Sequence, residues 1–255
     1  AANMWTNSRE TGTDAQGRDK RTNGVDDDGN GFVDDVQGCN VVGTHSGNPM
    51  DDHGHGTHVA GIVAAQAGNG QGGVGVAYNV QIMAIKAAQY SGVLAASDIA
   101  EAVNYAVANG ADIINMSFGG YAKSQVEEDA LAVAFGQCVL VPAAGNDGLF
   151  NEKECDRIRA KPMYPAAYYW VLGVMASAQG GGLAGFSNKD CIPHNAVEYE
   201  LKAPGVDVWS TLPNNQYAAW DGTSMSAPIV SAIAAFATAI DDIFADTRVP
   251  DGLSV

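Results

Sequence analysis

Asp112-Ile113-Ile114-Asn115-Met116-Ser117 is a short run whose apolar side chains are Ile113, Ile114 and Met116, too brief for a helix and suited to a strand. After it, Ser124-x-x-Glu127 has the form of a capping box, opening a helix with Val126, Leu131, Ala134 and Phe135 on one stripe. Val139-Leu140-Val141-Pro142-Ala143 then supplies a second, apolar strand. A strand, a helix and a strand at this spacing predict a parallel pair with a right-handed crossover. The same rhythm extends outward. Residues 80–85 read as an earlier strand, and Asp98-x-x-Glu101 as the cap of a helix with Ile99, Ala102, Val103, Ala106 and Val107 inward, closed by Gly110. Residues 170–175 read as a later strand. The fold class is therefore α/β, a three-layer arrangement of a mainly parallel sheet with helices on both faces. In such folds chemistry collects at the carboxyl ends of the strands, where Ser117-Phe118-Gly119 and Asn146 fall.

The chain has 255 residues and 46% apolar content, enough for one large core. Its 29 acidic residues against 13 basic ones leave a net charge of −16, which excludes a phosphate backbone or an anionic membrane as the natural partner. No apolar run reaches membrane-spanning length; residues 229–240 come nearest and close on Asp241-Asp242. Cys39, Cys138, Cys155 and Cys191 lack metal-ligand spacing. Cys138 reads as a buried free thiol. Cys155 and Cys191 lie in polar loops and are expected to pair in an oxidising compartment, while Cys39 has no evident partner.

Gly222-Thr223-Ser224-Met225-Ser226-Ala227-Pro228 runs into a small-residue helix over residues 229–237 that suits deep burial. Ser224 falls where a loop meets a helix N-terminus, so backbone N–H groups and the positive dipole end stand ready to hold an oxyanion. The plain alternative is a capping serine. A nucleophilic serine needs a base, and Asp52-His53-Gly54-His55-Gly56-Thr57-His58-Val59-Ala60-Gly61 offers histidines. A metal site is the rival reading there, but zinc helices space their histidines four apart, whereas these lie two and three apart. His53 and His58 read as structural, satisfied by nearby backbone.

These stretches, with Ala143-Ala144-Gly145-Asn146-Asp147-Gly148, resemble the subtilisin-like serine proteases, the subtilases. The resemblance implies His55 as general base, Ser224 as nucleophile and Asn146 as an oxyanion donor. It implies a peptide-binding wall at Ser117, Phe118 and Gly119, an opposite wall with Tyr90 at an outer subsite, and a pocket for the residue before the cut near Ala144, Gly145 and Asp147. It further implies a polypeptide substrate, an N-terminal prodomain and a secreted, extracytoplasmic setting. The family's aspartate-bearing strand has no counterpart before His55, so residues 1–255 are expected to be a single catalytic domain truncated at both ends. Inactivity of this stretch by itself is expected on the same ground. A silent, calcium-binding homologue is the alternative.

Asn23-Gly24-Val25-Asp26-Asp27-Asp28-Gly29-Asn30-Gly31-Phe32-Val33-Asp34-Asp35 carries five carboxylates within ten residues, which repel each other without a cation. Asp26, Asp28, Asn30, the Phe32 carbonyl and Asp34 match the first nine positions of an EF-hand-type loop, with Gly31 at the sharp turn. The twelfth position holds Gln37 instead of glutamate, and no helices flank the loop. Residues 23–37 are thus expected to be a structural calcium loop inserted in another fold.

Overall fold

The computed structural model describes residues 3–150, 161–190 and 199–246, with side chains described through residue 239. In chain order the elements are β1 (Gly38–Asn40), α1 (His55–Ala64), β2 (Ala84–Lys86), α2 (Ala96–Ala108), β3 (Ile113–Met116) and α3 (Gln125–Phe135). Then follow β4 (Val139–Pro142), β5 (Val174–Ser177), β6 (Leu201–Pro204), β7 (Val208–Leu212), β8 (Gln216–Trp220) and α4 (Thr223–Asp246).

β3 and β4 pair in parallel with Ile113 opposite Val139, the crossover read from their sequences. A parallel bridge from Ala143 to Val174 joins β4 to β5, and β5 pairs in parallel with β6. β1 and β2 form another parallel pair, prolonged by a bridge from Met4 to Ile82. Among the described residues no bridge joins β2 to β3. Side chains alternate faces along a strand, and the core divides accordingly. Leu140 and Met116 pack with Ile99 and Val103 of α2 and Leu131 and Ala134 of α3. Val141, Val174 and Ala203 face the other way, onto Ala227 and Val230 of α4. Helices thus cover both faces of a mainly parallel sheet.

Several expected boundaries shift. The strand read over residues 80–85 begins at Ala84, and the one read over residues 170–175 begins at Val174 because hydrogen-bonded turns occupy residues 163–171. Helix α2 starts at Ala96 without a side-chain cap, which places Asp98 in its first turn. Ser124 does cap α3, its Oγ accepting from Glu127 N. The inward stripe of α3 is Glu127, Ala130, Leu131 and Ala134, a regular i, i+3, i+4, i+7 set, and Val126 and Phe135 point to solvent. Helix α4 buries one side only, with Ile233 and Phe236 exposed. Cys138 is a buried free thiol whose Sγ donates to Ala111 O, and Cys39 is another; burial pushes both thiols up. The expected Cys155–Cys191 pair lies outside the described residues.

Candidate active site

Helix α4 begins immediately after Gly222, whose φ of 153° lies in a region that favours glycine. Ser224, in the first turn, has a backbone N–H with no acceptor inside the helix. Four residues on, Pro228 has no N–H to give to the Ser224 carbonyl. That carbonyl is satisfied from outside the helix, by the Ser117 hydroxyl at 2.8 Å. In return the Ser224 hydroxyl donates to the Ser117 carbonyl at 3.0 Å. The serine is thereby tied to the carboxyl end of β3.

Asn146 follows β4 and is oriented by α4. Its Oδ1 accepts from the Thr223 backbone N–H at 2.8 Å and from Thr223 Oγ1 at 3.0 Å, so Nδ2 faces the opposite way. A Cβ placed on Gly222 would stand 3.5 Å from Asn146 Nδ2 and 3.6 Å from the Ser224 backbone nitrogen. The two donors therefore converge on one small space that only glycine leaves open. Asn188, fully buried, braces the loop that carries Asn146: its Oδ1 accepts from Asp147 N and Leu149 N, and its Nδ2 donates to Ala144 O. Sequence reading missed this residue, because a lone asparagine far along the chain carries no pattern.

His55 is the first residue of α1. Asp51 braces this start, bonding two N–H groups just before the helix and one in its first turn. Asp51 Oδ1 accepts from His53 N and Gly54 N, and Oδ2 accepts from Thr57 N and Thr57 Oγ1. Burial of this carboxyl works against its charge, but these donors outweigh it and hold the pKa at about 2. Burial, followed by the neighbouring His53, pushes the His55 imidazole below its ordinary value. No described residue hydrogen-bonds the His55 ring.

The β7–β8 hairpin clamps α1 in place. Ser210 Oγ donates to His58 O at 2.7 Å, and Thr211 Oγ1 to Thr57 O at 3.0 Å. Trp220 stacks flat on His58 at 4.5 Å and lies 6.3 Å from His55. His58 is buried, with Nε2 at 3.0 Å from Ala218 O, as a structural histidine should be; His53 is exposed instead of satisfied by backbone. The hairpin turns at Asn214 and Asn215, both with positive φ, and this Asn-Asn turn was the signal available in the sequence.

A cleft of about 500 Å³ is lined by His55, Asn146 and Ser224 together. Trp220, Asp207 and Asp221 share the lining, and none of the three had been singled out from sequence. Among the expected substrate-contacting residues, Ser117 is buried against Ser224, Phe118 is half-buried, and Gly119 is exposed. Ala144 is fully buried, while Gly145, at φ 101°, donates its N–H to Thr223 Oγ1. Asp147 accepts from the Tyr121 hydroxyl, and Tyr90 is 73% exposed on a surface turn. Neither of them lines this cleft.

In the acidic loop, Asp26 and Asp28 come together with Glu10, their ligand atoms all within 4.8 Å of one another. Asn30 turns its Oδ1 to Phe32 N and its Nδ2 to Asp35, and Asp34 Oδ1 accepts from Gly24 N. Asp34, expected from sequence as a ligand beside Asp26 and Asp28, is not among the three residues grouped there.

The Subtilase family model matches residues 9–248, and the chain belongs to that family. It is 40% identical over 189 residues to the thermophilic serine proteinase of Bacillus sp. (strain AK1), covering 74% of this chain and 43% of that one. It is 40% identical over 201 residues to subtilisin DY of Bacillus licheniformis, covering 78% and 68%. Subtilisin-like protease 1 of Plasmodium falciparum (isolate 3D7) is 34% identical over 235 residues, covering 86% of this chain and 33% of the relative. The chain thus spans less than half the length of the first and third. No helix among the described residues is long and apolar enough to cross a membrane.

Proposed function

We propose that the protein is a serine endopeptidase acting on polypeptides outside the cytoplasm. One observation carries the reading: the space beside Gly222 on which Asn146 Nδ2 and the Ser224 N–H converge, within the cleft that His55 also lines. Ser224 Oγ attacks the scissile carbonyl carbon while His55 accepts the hydroxyl proton. The carbonyl oxygen, now negative, is held by Asn146 and the Ser224 N–H. His55 then gives the proton to the departing amine nitrogen, leaving an acyl-serine that water cleaves by the same route. Before attack the Ser224 hydroxyl must leave the Ser117 carbonyl and turn towards His55.

Residues 1–255 alone turn over slowly in this reading, because no described carboxylate bonds His55 to fix its tautomer. In subtilisin, a relative, losing the corresponding aspartate costs about 3 × 10⁴ in turnover. Calcium in the loop around Asp26 and Asp28 is structural, neutralising a crowded acidic segment without entering the reaction. Casein cleavage by the full-length protein tests the proposal, with His55→Ala as comparator. Loss of cleavage in the variant supports it; cleavage at the unaltered rate contradicts it.

A further inference from the structure

Residues 26–37 lack the glutamate that closes an EF-hand-type loop, since position twelve is the exposed Gln37. Glu10 lies sixteen residues before Asp26, on a short 3-10 turn, Ser8–Glu10, and is 0% exposed. Its Oε1 accepts from Asp27 N at 2.7 Å and Asp28 N at 3.1 Å, which locks the carboxylate against the loop. Its Oε2 is buried and has no hydrogen-bond partner. A charge or polar atom so placed is costly unless something else meets it.

We propose that Glu10 closes a composite calcium site with Asp26 and Asp28, replacing the missing carboxylate of the loop's twelfth position. The inference rests on the calcium reading of the loop given above and adds to it a ligand from outside the loop. The placement suits one ion: oxygens bound to a calcium at ~2.4 Å stand no more than ~4.8 Å apart, and ligand atoms of Glu10, Asp26 and Asp28, one from each, lie within 4.8 Å of one another. Asp26 Oδ1 already accepts from Gly29 N and Asn30 N, but Asp26 Oδ2 and Asp28 Oδ1 each accept one backbone N–H and keep a second lone pair for an ion. The nearby cations do not fill the role. Arg9 Nε reaches Asp28 Oδ2 at 3.2 Å from an exposed position, and Lys20 Nζ reaches Asp27 at 3.7 Å, but neither touches Glu10 Oε2. Asn7 stitches the turn to the loop, donating to Asp28 Oδ2 and Asp35 Oδ1 at 3.0 Å each. The ion would thus clamp the segment before the loop onto the loop itself.

The test is calorimetric titration of chelator-stripped full-length protein with calcium, with far-ultraviolet circular dichroism to confirm folding. The loop reading predicts that wild type binds and that Asp26→Asn binds much more weakly. The composite site predicts that Glu10→Gln, which keeps the Oε1 acceptor, weakens binding roughly tenfold or more. It also predicts that Gln37→Glu, at an exposed position, leaves affinity within about twofold of wild type. Wild-type protein that binds no calcium overturns the loop reading, and this inference with it. Binding by Glu10→Gln equal to wild type overturns the inference alone. Should Glu10→Gln fail to fold, Gln37→Glu decides: tighter binding by tenfold or more would mean that the loop closes on its own twelfth position.

Discussion

Ser117 and Ser224 exchange hydrogen bonds, each hydroxyl donating to the other's carbonyl at 2.8 and 3.0 Å. The exchange exists because Pro228 removes the helical donor that the Ser224 carbonyl would otherwise have. Replacing Ser117 by Ala should leave that carbonyl unpaired in a partly buried place, costing ~1–3 kcal/mol. Chemical denaturation would show it as a lowered midpoint at unchanged slope. An unaltered midpoint would mean that water satisfies the carbonyl.

Thr223 should govern activity through Asn146. Thr223→Val removes the hydroxyl that donates to Asn146 Oδ1 and accepts from Gly145 N. Turnover should fall with little change in KM, approaching but not reaching the ~10²–10³-fold loss expected for Asn146→Ala. Steady-state kinetics on a peptide substrate would separate the two constants. An effect on KM alone would count against the role given to Asn146.

Glu127 should make stability fall with pH. Buried beneath α3 and 7% exposed, its carboxyl is pushed up from 4.5 to about 7. Between those values the unfolded chain has released the proton while the native protein keeps it, so stability declines as pH rises through this window. Above pH 7 the full penalty applies, on the order of 2–3 kcal/mol. Glu127→Gln should remove the decline and gain most at pH 8. Unfolding free energies of the two proteins at pH 4.5 and pH 8 check this; parallel profiles would contradict it.

His55 should titrate below 6.5, since burial and then His53 lower its pKa, while the Asp51 charge opposes them only in part. Imidazole proton shifts in residues 1–255, measured by NMR against pH, would give the midpoint. A midpoint well above 6.5 would place a carboxylate beside His55 that the described residues do not supply.

The strand–helix–strand rhythm was legible because two short stretches with apolar residues at their centres, Ile113-Ile114 and Val139-Leu140-Val141, flank a capped helix. His55, Asn146 and Ser224 were legible as a set because the three stretches that carry them resemble the subtilases, and the structure brings the three to one cleft. The stripe of α3 was misread at Val126 and Phe135: apolar identity outweighed register, and a buried glutamate took the inward place. Asn188, Thr223 and Trp220 could not be singled out as partners, since their roles arise from contacts across 41 to 165 residues of chain: Asn188 reaches Asp147, Thr223 reaches Asn146, and Trp220 reaches His55. Glu10 was hidden for the same reason, in a stretch that reads as patternless loop.

The central claim is that Ser224 is the nucleophile of this cleft. It is tested most directly by treating the full-length protein with a fluorophosphonate probe and locating the adduct by peptide mass spectrometry. The expected result is a single modified residue, Ser224, with labelling abolished in His55→Ala and absent in Ser224→Ala. Labelling of another serine, or casein cleavage by Ser224→Ala at the wild-type rate, would contradict it.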